Sequence, residues 1–128
     1  MQPVRSGQEV IVNEPRAREL VARERARIES ALAELGEIRA EGSLQRQQTG
    51  DNADAASALE TESVTVALAS DLREQLAAVE RAEGRIAQGT YGRSVQSGIP
   101  IPDERLEAEP LAERTIEEQR HYERRGPN

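Results

Sequence analysis

Thr49-Gly50-Asp51-Asn52-Ala53-Asp54-Ala55-Ala56-Ser57 is an acidic, glycine-introduced turn between two long runs whose apolar residues recur three or four positions apart. Such spacing puts the apolar side chains on one face of a helix, and two helices leaving one short turn bury those faces by packing back on each other. The stretch reads as the tip, near 49–57, of a long antiparallel two-helix coiled-coil hairpin, and the fold class as all-α. From Gln47 to Leu72 there is no basic residue, whereas Asp51, Asp54, Glu60, Glu62 and Asp71 are acidic. The tip therefore concentrates negative charge.

Working back from the tip, Asn13 can accept a hydrogen bond from a first helical turn, and Pro15 is tolerated there because no intrahelical N–H is needed. A first helix is expected from about residue 14, with Leu20, Val21, Ile28, Leu32, Leu35 and Ile38 on one face and an Arg- and Glu-rich solvated face opposite. Gly42 and the polar run Gln45 to Gly50 should interrupt it. Before it lies a leader, residues 1–13, whose apolar cluster Val10-Ile11-Val12 is expected to dock on the helices.

Working forward, a second helix is expected from near Asp51 to about Gln88, with Leu59, Val66, Ala69, Leu72, Leu76, Val79 and Ile86 forming the packing seam. At 1.5 Å per residue it spans roughly 50 Å, more than so short a chain can surround, so the hairpin, residues 14–88, is expected to project. Gly89 suits the left-handed position that ends a helix. Gly89-Thr90-Tyr91-Gly92 closes a helix rather than opening one, which excludes a phosphate-binding loop. A small C-terminal lobe, 89–128, follows. Ile99-Pro100-Ile101-Pro102 is extended, Asp103 is expected to cap a short turn through Leu106, Pro110 to start a final helix through Tyr122, and Gly126-Pro127-Asn128 to fray.

Composition narrows the function. The 128 residues include no Phe, no Trp and two Tyr, and 32% are charged, which suits an elongated helical protein better than an enzyme with a large core. A net charge of −7, with all 17 basic residues Arg, disfavours direct nucleic-acid binding, because phosphate neutralisation needs a clustered excess of cations. A protein partner with a basic cavity fits better. There is no cysteine, hence no disulfide, and neither a signal segment nor a long apolar run, so a cytoplasmic protein without membrane contact is expected. The single histidine, His121, reads as a surface residue.

Asp51-x-x-Asp54-x-Ala56 at the tip, then Gly89-Thr90-Tyr91-Gly92, Ile101 and Arg105-Leu106-x-Ala108-x-Pro110, occur in that order over about residues 20–119. In this combination the chain resembles the DksA/TraR family of bacterial RNA polymerase regulators. That resemblance implies a coiled-coil finger on a small zinc-finger-type lobe, with the finger inserted into the polymerase secondary channel. It also implies functional roles for Asp51, Asp54 and Ala56 at the channel tip. By spacing alone the two aspartates are equally what a helix N-terminus favours for capping, and the two roles are compatible.

The family pattern places two Cys-x-x-Cys pairs on Ser94 and Ser97 and on Thr115 and Glu118, so all four zinc ligands are replaced. Structural zinc is held by thiolate or imidazole, and no zinc is expected here. The lobe, degenerate and zinc-finger-like, is instead expected to rest on Tyr91, Val95, Ile99, Ile101, Leu106, Leu111 and Ile116. The expected function is non-enzymatic transcription regulation through RNA polymerase, with ppGpp left open as a ligand held jointly with polymerase. One alternative is stimulation of transcript cleavage, as in the Gre factors, whose acidic hairpin tip is similar but whose second domain is larger. The other is a coiled-coil adaptor that no longer binds polymerase.

Overall fold

The computed structural model describes the backbone of residues 12–49 and 52–125 and the side chains of residues 12–44 and 59–125. The leader docking expected of Val10 and Ile11, the position of Asp51, and the fraying of residues 126–128 lie outside the described residues. Four helices follow one another: α1 (Glu14–Thr49), α2 (Asn52–Gln88), α3 (Asp103–Ala108) and α4 (Ile116–Arg125). The described residues hold no strand, only an isolated antiparallel bridge between Arg93 and Pro100. The protein is all-α, built on two long helices that pack together.

Local hydrogen bonds explain where the first long helix begins and where the second ends. Asn13 Oδ1 accepts the Arg16 N–H at 3.0 Å and the Asn13 carbonyl accepts the Ala17 N–H at 2.8 Å, so Asn13 caps α1 as its sequence position suggests. At the far end of α2, Gly89 takes φ 78°, and the N–H groups of Gly89 and Thr90 donate to the carbonyls of Ile86 and Arg85. This is the Schellman arrangement, which glycine adopts without a Cβ clash. Contrary to expectation, α1 is not broken at Gly42 and continues to Thr49. A lone glycine weakens a helix by about 1 kcal/mol without ending it when both neighbouring turns continue.

Two compact units divide the chain, one formed by residues 1–24 with 79–128 and the other by residues 25–78. In the first, Val12, Ala17, Leu20, Ile101 and Leu106 form a buried cluster, with Ile86 and Tyr91 packed against it. The lobe is thus held on the hairpin base by α1 residues. Val95, Ile99 and Ile116, expected in the lobe core, are about half exposed instead. The Arg16 guanidinium clamps Glu107 of α3 through two bonds of 2.8 and 2.6 Å.

In the second unit, Ile28 of α1 and Thr65 and Ala69 of α2 are buried, and the antiparallel register is marked by Arg27 with Gln75 and Arg39 with Glu62. Leu59 and Val66, placed in the seam by their spacing, are exposed, as is Ile38. Thr65 is buried at no polar cost because its hydroxyl donates to the Thr61 carbonyl at 2.7 Å. Gly36, within α1, has nothing within 4 Å of where a Cβ would lie. Gly36→Ala should therefore raise stability by about 1 kcal/mol, measured by urea unfolding. A loss would mean that the site is tighter than this geometry.

Candidate functional site

The four positions read as replaced zinc ligands converge in the lobe, where they form a hydrogen-bonded cluster. The Ser94 hydroxyl, buried with its residue, accepts the N–H groups of Gln96 and Ser97 at 3.0 and 3.1 Å, folding the Ser94–Ser97 turn around its oxygen. The Ser97 hydroxyl then donates to Glu118 Oε2 at 2.5 Å. Glu118 Oε1 accepts the Thr115 N–H at 3.0 Å while the Thr115 hydroxyl accepts the Glu118 N–H at 3.2 Å. That reciprocal pair is a capping box at the start of α4. One carboxylate thus joins the serine turn to the helix N-terminus.

The same unit shows why α4 starts at Ile116 and not at Pro110. A helix from Pro110 would need its early carbonyls for its own N–H groups. The Pro110 carbonyl instead accepts the Tyr91 hydroxyl at 2.7 Å, the Glu113 carbonyl the Val95 N–H at 2.9 Å, and the Arg114 carbonyl Arg105 Nε at 2.9 Å. Thr115 is the first residue in this segment whose carbonyl serves a helical bond, to Gln119 N at 2.8 Å. Asp103 likewise does not cap α3, since it is the first helical residue; the Pro102 carbonyl accepts the Arg105 and Leu106 N–H groups.

Electrostatics follow these contacts. Hydrogen bonds from the Ser94 and Ser97 hydroxyls and the Thr115 N–H hold the Glu118 carboxyl down at about 2. Burial works to raise Glu113, but Arg81 and Arg85 outweigh it and keep that carboxyl below its usual range. Tyr91, donating to Pro110, is pushed up to about 12 by burial. Because Glu118 titrates lower in the folded chain than unfolded, its contribution is fully present above the ordinary carboxylate range and is lost as pH falls toward 2. The melting temperatures of the parent and of Glu118→Gln should therefore differ most above pH 5 and converge near pH 2. A difference that stays constant with pH would show that Glu118 acts without its charge.

The tip positions are placed only in part. Asp54 and Ala56 lie in the first turns of α2, and their side chains, like all of Asp51, are outside the described residues. His121 is exposed on α4. The four cluster residues carry one carboxylate and three hydroxyls, a poor donor set for zinc, and no cluster of His, Cys, Asp and Glu suited to a metal occurs among the described residues. The capping box went unread in the sequence although Thr115-x-x-Glu118 carries its signature.

A solved structure of the transcription factor DksA2 from Pseudomonas aeruginosa is similar to this chain, with a TM-score of 0.79 covering 99% of this chain and 95% of the other at 24% sequence identity. The fold is that of DksA. No family model matches the chain, and no curated protein does. At this identity the likeness extends to the fold, and it spans the hairpin and the lobe together. No helix among the described residues is long and apolar enough to cross a membrane.

Proposed function

We propose that the protein is a non-enzymatic transcription regulator that binds bacterial RNA polymerase and presents the Asp51 and Asp54 carboxylates inside the secondary channel. The likeness of fold to a DksA transcription factor over nearly the whole chain carries this reading. The charge pattern agrees with it, since the stretch from Gln47 to Leu72 carries five acids and no base, and a basic cavity steers such a segment inward. The lobe and the hairpin base are joined by one core. The zinc-free lobe is held by the Ser94, Ser97, Thr115 and Glu118 cluster.

Binding of the purified protein to core polymerase, in competition with an established secondary-channel factor, tests the reading. Displacement of that factor is the expected result, and absence of binding favours the adaptor alternative. A transcript-cleavage assay on stalled complexes separates the remaining alternative, because a Gre-like protein releases short 3′ fragments and a regulator does not. Repeating the transcription assay with and without ppGpp shows whether that nucleotide acts jointly.

A further inference from the structure

In the unit formed by residues 25–78, Arg27 of α1 bonds Gln75 of α2 at 3.1 Å and Arg39 pairs with Glu62 at 3.5 Å, which sets Ile38 level with about Val64. Ile38 is eleven residues beyond Arg27, close to three full turns, so the two share one flank of α1. Val64 and Leu68 precede Gln75 by eleven and seven residues and share its flank of α2. Since Arg27 reaches Gln75 across that side of the hairpin, Ile38, Val64 and Leu68 stand together there. Their exposures are 48%, 59% and 49%. Three half-bared aliphatic side chains in one patch mark a contact surface better than single scattered ones do.

The charges around the patch say what covers it. On the same side, helical spacing places Glu34, Glu41, Glu60 and Asp71, while Arg27 is engaged by Gln75 and Asp71 bonds that glutamine in turn. A second copy of the chain would bring one acidic margin against another, which like-charge repulsion opposes. We propose that Ile38, Val64 and Leu68 form a docking surface for a protein with an apolar centre and a basic margin. Resting on the function proposed above, that protein is RNA polymerase.

Val64→Ser with Leu68→Ser tests it, because both side chains are exposed and the change leaves the buried residues untouched. Far-UV circular dichroism and melting temperature should match the parent, and affinity for core polymerase should fall on the order of tenfold. Val66→Ser, on the opposite flank of α2, should leave affinity within about twofold. Val64→Lys should weaken binding more than Val64→Glu, since lysine meets the basic margin. Equal affinities for the parent and the double variant, or equal losses from Val66→Ser, overturn the docking surface while leaving the function standing. Failure of the parent to bind polymerase overturns both. A concentration-dependent dimer of the parent that the double variant abolishes, seen in analytical ultracentrifugation, assigns the patch to a second copy and overturns the proposal.

Discussion

Replacing the four cluster residues together, Ser94→Cys, Ser97→Cys, Thr115→Cys and Glu118→Cys, should give a protein that purifies with one zinc per chain and loses lobe structure to a chelator. The physical basis is the convergence already present. Ser94 Oγ accepts two backbone N–H groups from its own turn, as a ligating thiolate would, and Ser97, Thr115 and Glu118 are linked to one another through bonds of 2.5 to 3.2 Å. Structural zinc on four thiolates contributes on the order of 10 kcal/mol or more, well beyond what a few hydrogen bonds supply. Elemental analysis and chelator-dependent circular dichroism read the outcome directly. The parent should hold no stoichiometric zinc and show a spectrum indifferent to chelator. A quadruple variant that stays metal-free would mean that the four positions are not arranged as a ligand set; tightly bound zinc in the parent would refute the metal-free lobe.

The second large effect is expected at the tip. Asp51→Asn with Asp54→Asn should leave folding nearly intact while removing most of the influence on transcription. Asparagine is almost isosteric with aspartate and caps a helix about as well, so a purely structural role predicts a stability change of a few tenths of a kcal/mol. What the double variant loses is charge, which the channel mechanism requires. Polymerase binding should survive in large part, because the hairpin flanks and lobe contribute contact area, and a bulky residue at Ala56 should obstruct insertion. In vitro transcription with the double variant decides it. Regulation equal to that of the parent would sink the acidic-tip mechanism.

These two expectations draw on different parts of the chain, and the parts differ in how readily a sequence reveals them. Capping by Asn13 and the left-handed Gly89 depend on residues within a few positions of each other, so residue type and spacing were enough to place the start of α1 and the end of α2. The all-α class and the hairpin connection likewise follow from apolar periodicity on either side of one turn. The acidic, base-free stretch from Gln47 to Leu72 needs no structure to be seen.

What the sequence by itself did not determine are the choices made between distant groups. Pro110 is a sound helix start locally, yet Tyr91, Val95 and Arg105 capture the carbonyls that a helix there needs, and α4 is delayed to Ile116. Spacing cannot distinguish the seam of a helix from its flanks when apolar residues occupy both. Only the facing helix decides that Thr65 is buried while Leu59, Val64, Val66 and Leu68 are exposed. The lobe core drew Ala17 and Leu20 from α1, and Val12 from just before it, because the lobe's own apolar side chains are too few to close it, a matter of volume and not of local pattern. Similarly, four residues that read in sequence as lost ligands become a connected cluster only when the tertiary fold brings Glu118 to Ser97, since a hydrogen bond across 21 residues has no signature in the spacing of either partner.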